Sequence, residues 1–168
     1  TRFMEIASGD GADLVLSNNV SSNIGAGAHI GTLAFKNIDD TDSGAVPHYA
    51  GIRCEAANTS GSMDLRFYIG RNNLESDAPN MLLDSSGRLL LGTTTEGDSA
   101  ADDLTIATSG NTGITIRSGT SGYGSIYFSD ATSGNGEFAG YVQYNHGTNQ
   151  LNIGTNETQN LTINSSGN

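Results

Sequence analysis

The chain has 168 residues, of which 23 are glycine, two are proline, none is tryptophan and one, Cys54, is cysteine. At 35% hydrophobic residues, one chain alone offers a thin core. Extra buried area must come from oligomerisation, a metal or disulfides, and a single cysteine excludes a disulfide within one chain. The formal net charge of −11 argues against a nucleic-acid partner, which needs clustered Lys and Arg, and no apolar run approaches the roughly 20 residues of a membrane helix, so no membrane insertion is expected.

No stretch sustains helical periodicity. Short alternating runs separated by Gly, Asn, Ser and Asp clusters instead predict an all-β chain of many small strands. The first is 13–17, carrying Leu14, Val15 and Leu16; the second is 32–36, with Leu33 and Phe35 on one face. The clearest is 63–69, where Met63, Leu65, Phe67 and Ile69 point one way and Asp64, Arg66 and Tyr68 the other. Cys54 follows Ile52 on the same face of a short apolar strand and reads as a buried free thiol, an intermolecular bridge being the alternative. Further strands are predicted at 104–107, 114–117, 124–129, 138–144, 151–153 and 161–164.

The blocks repeat. Residues 4–7 match 104–107, and Leu14, Val15 and Leu16 match Ile114, Thr115 and Ile116 with no gap between the two blocks. Residues 31–35 then match 124–128, 49–52 match 138–141, 64–67 match 150–153 and 80–88 match 160–168, in the same order. The expected organisation is a first β repeat over 1–95, an acidic linker over 96–103 and a second β repeat over 104–168 that stops where the first continues as Leu89, Leu90, Leu91, Gly92 and Thr93. That ending, and a first residue other than Met, suggest a segment of a longer protein. Repeats of this kind rarely close a core alone and stack on neighbours.

The run Asp84, Ser85, Ser86, Gly87, Arg88, Leu89, Leu90, Leu91, Gly92, Thr93, Thr94 resembles a motif of tail fibre and related virion proteins of tailed phages, especially marine and cyanobacterial ones: an apolar strand, a DSSGN turn, then VGIGTT. Asn164, Ser165, Ser166, Gly167 and Asn168 resemble its start, and 31–35 with 49–54 are similar to the stretch that usually precedes it. Leu89 and Leu90 depart from the usual Val-Gly, and no proline follows the Thr run. The resemblance implies an elongated homotrimeric fibre, a β-prism or intertwined β layers, on a virion. The implied partners are two further copies of the chain, other virion tail or fibre proteins and a host cell-surface receptor. A symmetric trimer would also supply the surface that one-faced strands lack and hide their edges.

Nothing in the sequence specifies catalytic, cofactor-binding or metal residues, and no enzyme activity is expected. Asp39, Asp40 and Asp42 form the densest acidic cluster but lack the distal Glu and spacing of an EF-hand loop, and read as a solvated turn; Asp10 with Asp13, and Asp102 with Asp103, are weaker. His29, His48 and His146 are not at metal-ligand spacing. Ser121 and Ser133 lie in glycine-rich turns without a nucleophile elbow, and the two copies differ in length, unlike the regular coils of a depolymerase β-helix. Tyr123, Tyr127, Tyr141 and Tyr144 enrich the second copy; Tyr127 and Tyr141, matched to Ala34 and Ile52, read as inter-strand packing, with sugar stacking the alternative. Core positions are expected at Leu14, Leu33, Phe35, Leu65, Phe67, Ile114, Ile126 and Phe128. The expected function is a trimeric spacer that presents a host-recognition tip; the alternatives are a receptor- or glycan-binding module of the fibre and a calcium-dependent adhesin repeat.

Overall fold

The computed structural model describes residues 14–18, 24–37, 48–71, 73–74 and 76–168. Blocks 4–7, 10–13 and 39–44 lie outside them. The described residues are all-β, apart from one short 3₁₀ turn at Gly134–Phe138, and the chain divides into two compact units, Thr1–Thr112 and Gly113–Asn168.

The first unit carries a six-stranded sheet: β1 (His29–Asn37), β2 (His48–Ala56), β3 (Met63–Arg71), β4 (Met81–Leu83), β5 (Leu89–Leu91) and β6 (Leu104–Ile106), in chain order. Every pairing is antiparallel except the last, where β6 adds in parallel to β5. The strand that opens the second sequence copy therefore completes the first unit's sheet. The acidic stretch 96–103 that delivers it is tied down: Leu89 N donates to Asp103 O at 2.8 Å and Gly97 N to Thr105 Oγ1 at 3.0 Å. The second unit carries β7 (Tyr123–Phe128), β8 (Gly140–Asn145), β9 (Gln150–Thr155) and β10 (Thr158–Ile163), antiparallel throughout and in the same order.

The repeat is visible in the hydrogen bonds. Asn80 Oδ1 accepts from Ile69 N at 2.7 Å, and Asn160 Oδ1 from Thr155 N at 2.8 Å. After β4, Asp84 Oδ1 accepts from the amides of Ser86 and Arg88, both at 2.9 Å; after β10, Asn164 Oδ1 accepts from Ser166 and Asn168 at 3.0 and 3.1 Å. Gly87 and Gly167 hold φ of 85° and 82°, where a side chain would be strained. Leu16 packs on Gly31 as Ile116 packs on Gly124. One match needs correcting. Ala34 pairs with Gly51 and Tyr127 with Tyr141, so the counterpart of Tyr141 is Gly51, one residue before the expected Ile52.

Three expected strands also change. Residues 14–17 and 114–117 join no ladder, and β8 starts at Gly140 because Phe138 belongs to the 3₁₀ turn, in which Gly134 takes a φ of 73°.

Candidate functional site

Cross-strand pairing puts opposed residues on one face of a sheet, so the register shows what each face presents. In the first sheet Leu33 pairs with Ile52, Ile52 with Phe67, Phe67 with Met81, Met81 with Leu91, and Leu91 with Ile106. A second row on the same face runs Cys54, Leu65, Leu83, Leu89, Leu104, and a third joins Phe35, Ala50 and Ile69. One face is therefore apolar across all six strands. It is also open to water: Phe35 is 69% exposed and Ile69 71%, with Leu33, Met63, Leu83 and Leu104 exposed as well.

The second sheet repeats the arrangement. Ile126, Val142, Ile153 and Leu161 form one row, and Tyr144, Leu151 and Ile163 another. Phe128 on that face is 62% exposed, and Ile114 and Ile116 border the same hollow as Ile126 and Leu151.

The residues expected to form a core thus share faces, but a single chain does not bury them. Leu14, Leu33, Phe35, Ile114, Ile126 and Phe128 are exposed, and Leu65 and Phe67 are half-buried. The physical reason is that each sheet is a single layer, and among the described residues no second sheet or helix covers this face, which meets only short runs such as Leu16 on Gly31 and Ile116 on Gly124. Among the described residues of the first unit, most of the burial lies on the opposite face, which holds charged groups: Arg53 and Glu55 are 5% and 3% exposed, and Tyr68 and Leu90 are almost fully enclosed. There the Glu55 carboxylate sits between the guanidinium groups of Arg53 and Arg66, Arg66 reaches Asp64 at 3.3 Å, and Asp64 accepts from Ser85 N at 3.0 Å. Arg53 also donates to Leu74 O and lies over the Tyr68 ring. Burial of these charges is sustained by their mutual pairing. The alternation of β2 reveals which residues share a face, but not that the charged one is the covered one.

Cys54 lies on the apolar face, half-buried, as a free thiol 3.5 Å from Met63 Sδ. Burial, helped by the nearby Asp64 carboxylate, pushes the thiol above its ordinary pKa, which makes it a poor nucleophile.

A second group of the first unit's charges meets at the turn after β4. Arg88 donates to Asp84 Oδ2 at 2.7 Å and to Asp102 Oδ2 at 2.8 Å, and Glu96 stands 3.7 Å away, so Arg88 is held protonated more firmly than a free arginine. At Asp84, burial alone would raise the pKa, but the hydrogen bonds from Arg88 and from the Arg88 and Ser86 amides bring it below the usual carboxylate range.

The remaining sequence candidates are dispersed. His29 Nε2 lies 2.5 Å from Thr32 Oγ1, His48 opens β2, and His146 stands edge-on to Tyr144 at 4.9 Å. Among the described residues no three His, Cys, Asp or Glu side chains gather as a metal would need, and no helix is long and apolar enough to cross a membrane. The second copy's tyrosines divide between the two faces: Tyr144 lies on the apolar one, and Tyr123, Tyr127 and Tyr141 on the other. Of the two read as inter-strand packing, Tyr141 is half-buried with its ring over Gly154, and Tyr127, more than half exposed in the single chain, meets Phe138. No family model and no curated protein matches the chain.

Proposed function

We propose that this chain is a structural segment of a virion fibre, such as a phage tail fibre, that assembles as a homotrimer and works as a spacer between the particle and a host-recognition tip. The observation that carries the reading is the apolar face of each single-layer sheet. Monomeric proteins rarely leave contiguous apolar patches beyond a few hundred Å² in water, yet here such a face runs across all six strands of one sheet and all four of the other. Three identical sheets turned to a common axis would cover one another's apolar faces and close a prism, leaving the charged face of each outermost. The motif around Asp84 and its partner around Asn164 support placing the assembly on a virion, beside other tail or fibre proteins, through their likeness to phage fibre repeats. No step in this role calls for catalysis or a cofactor.

Small-angle X-ray scattering with and without a calcium chelator tests the reading. The expected profile is that of an elongated rod, unchanged by the chelator. A compact monomer would overturn the fibre, and unfolding on chelation would point to a calcium-dependent adhesin, because metal-dependent repeats melt without their ion.

A further inference from the structure

On the polar face of the second sheet, the register places Tyr127 directly opposite Tyr141, and Tyr141 opposite Gly154. The Tyr141 ring lies so close over Gly154 that a Cβ there would overlap the ring. Phe138, carried by the 3₁₀ turn, stands 6.1 Å from Tyr127, ring centre to ring centre, with the planes inclined by 48°. With Gln143 and Glu157 these three rings line a hollow of about 220 Å³.

Its polar groups are fixed in place. Gln143 Nε2 donates to Tyr127 Oη at 3.1 Å and Ser125 Oγ at 3.0 Å, which leaves the amide carbonyl oxygen as an acceptor. Glu157 sits at the tip of the β9–β10 hairpin with φ of 62°, after Asn156 at 51°. Two left-handed residues make the tight hairpin turn whose second position glycine normally takes, and a glutamate there is strained. The strained residue is nonetheless tethered: Asn135 Nδ2 donates to its carboxylate at 2.8 Å, and its amide donates to Ala139 O at 3.2 Å. Local strain held by specific contacts marks functional positions.

The fold does not require this hollow. In the first unit the matching places hold Ala34, Gly51 and Arg53, and Leu74 Cδ1 lies 3.3 Å from where a Gly51 Cβ would stand. There the chain fills the same spot with its own leucine.

We propose that the hollow binds one neutral pyranose residue of a glycan. Aromatic rings offer apolar surface to the C–H face of a sugar while their phenols hydrogen-bond, and the Glu157 carboxylate and Gln143 carbonyl accept from sugar hydroxyls. The volume suits one ring better than a drug-sized ligand, for which pockets run from about 300 Å³ upward. The carboxylate and the net charge of −11 disfavour acidic sugars. The site is built within one unit of one chain, so it stands or falls apart from the trimer.

The test titrates the ¹⁵N-labelled full chain with methyl glycosides of glucose, galactose, mannose and N-acetylglucosamine. At least one is expected to bind with about millimolar affinity, as single sugars do in shallow sites, and to shift the amides of Tyr141, Gly154 and Glu157. Tyr127→Ala should weaken binding about tenfold or more, and Glu157→Gln, which keeps the shape, severalfold. Glu157→Gly is the sharpest variant: it should hold or raise the thermal midpoint, because it relieves the strained turn, yet abolish binding. The proposal is overturned if none of these glycosides moves the amides, if the shifts map to the opposite face, or if Glu157→Gly binds as well as the parent chain.

Discussion

Replacing Phe35 by alanine separates a face that is covered by other copies from one that stays in water. In the single chain Phe35 is 69% exposed. If it stays so, truncation should change stability by no more than about 0.5 kcal/mol, as at most surface sites. If three copies bury it, the cost approaches that of a core Phe→Ala change, about 3–5 kcal/mol. Only the part now in water, 69% of the residue's surface, is recovered by assembly, so about 2–3.5 kcal/mol per chain is expected, and about three times that per trimer. Denaturant unfolding followed by circular dichroism at several protein concentrations reads both the loss and its dependence on concentration. Ala34→Ser, the neighbouring position on the opposite face, is the control and should be near neutral. A Phe35→Ala change within about 0.5 kcal/mol, with the oligomer intact, would refute the shared-core reasoning.

Other outcomes follow from the covered face and the turns. Glu55→Ala leaves the Arg53 and Arg66 guanidinium groups without the carboxylate between them and should cost about 3–5 kcal/mol by chemical denaturation; a loss under about 1 kcal/mol would mean that water reaches the network. Gly154→Ala forces the Tyr141 ring off its seat and should cost about 1–3 kcal/mol, while combining it with Tyr141→Ala should restore most of the loss; strict additivity in that cycle would contradict the contact. The Asp84 pKa is lower folded than unfolded, so its contribution is present above the unfolded value and lost as pH falls through the folded one. Asp84→Asn should keep the turn, as Asn164 does, and flatten the acid limb of the thermal midpoint against pH; an unchanged acid limb would count against the assignment.

What the sequence revealed is what short-range chemistry sets. The alternation of 63–69 predicts β3, and the glycine and Asx pattern of 84–87 predicts a turn that recurs at 164–167 with the same hydrogen bonds. What it hid depends on contacts distant in the chain. Alternation put Leu33 with Phe35 on one side of their strand and Leu65 with Phe67 on one side of theirs, but the cover on the other side comes in part from Leu74, in a loop without periodicity, and encloses Arg53 and Glu55. The match of 49–52 to 138–141 slipped by one residue because short Gly-, Ala- and aromatic-containing blocks align almost equally well in two registers, and only the ladder opposite Tyr127 decides between them. The hollow beside Tyr127 draws on Phe138 and Glu157, nineteen positions apart, and no local pattern links them. A clue was available at Glu157: after Asn156, at a two-residue hairpin tip, glycine is the ordinary occupant.

The fibre reading rests on the apolar faces of the two sheets being covered by two further copies of the same chain. Its most direct test is the solution mass of the purified chain by multi-angle light scattering over a range of concentrations. A stable species of three times the chain mass is expected. A folded monomer that persists at the highest concentration, with Phe35 and Phe128 still in water, would contradict it.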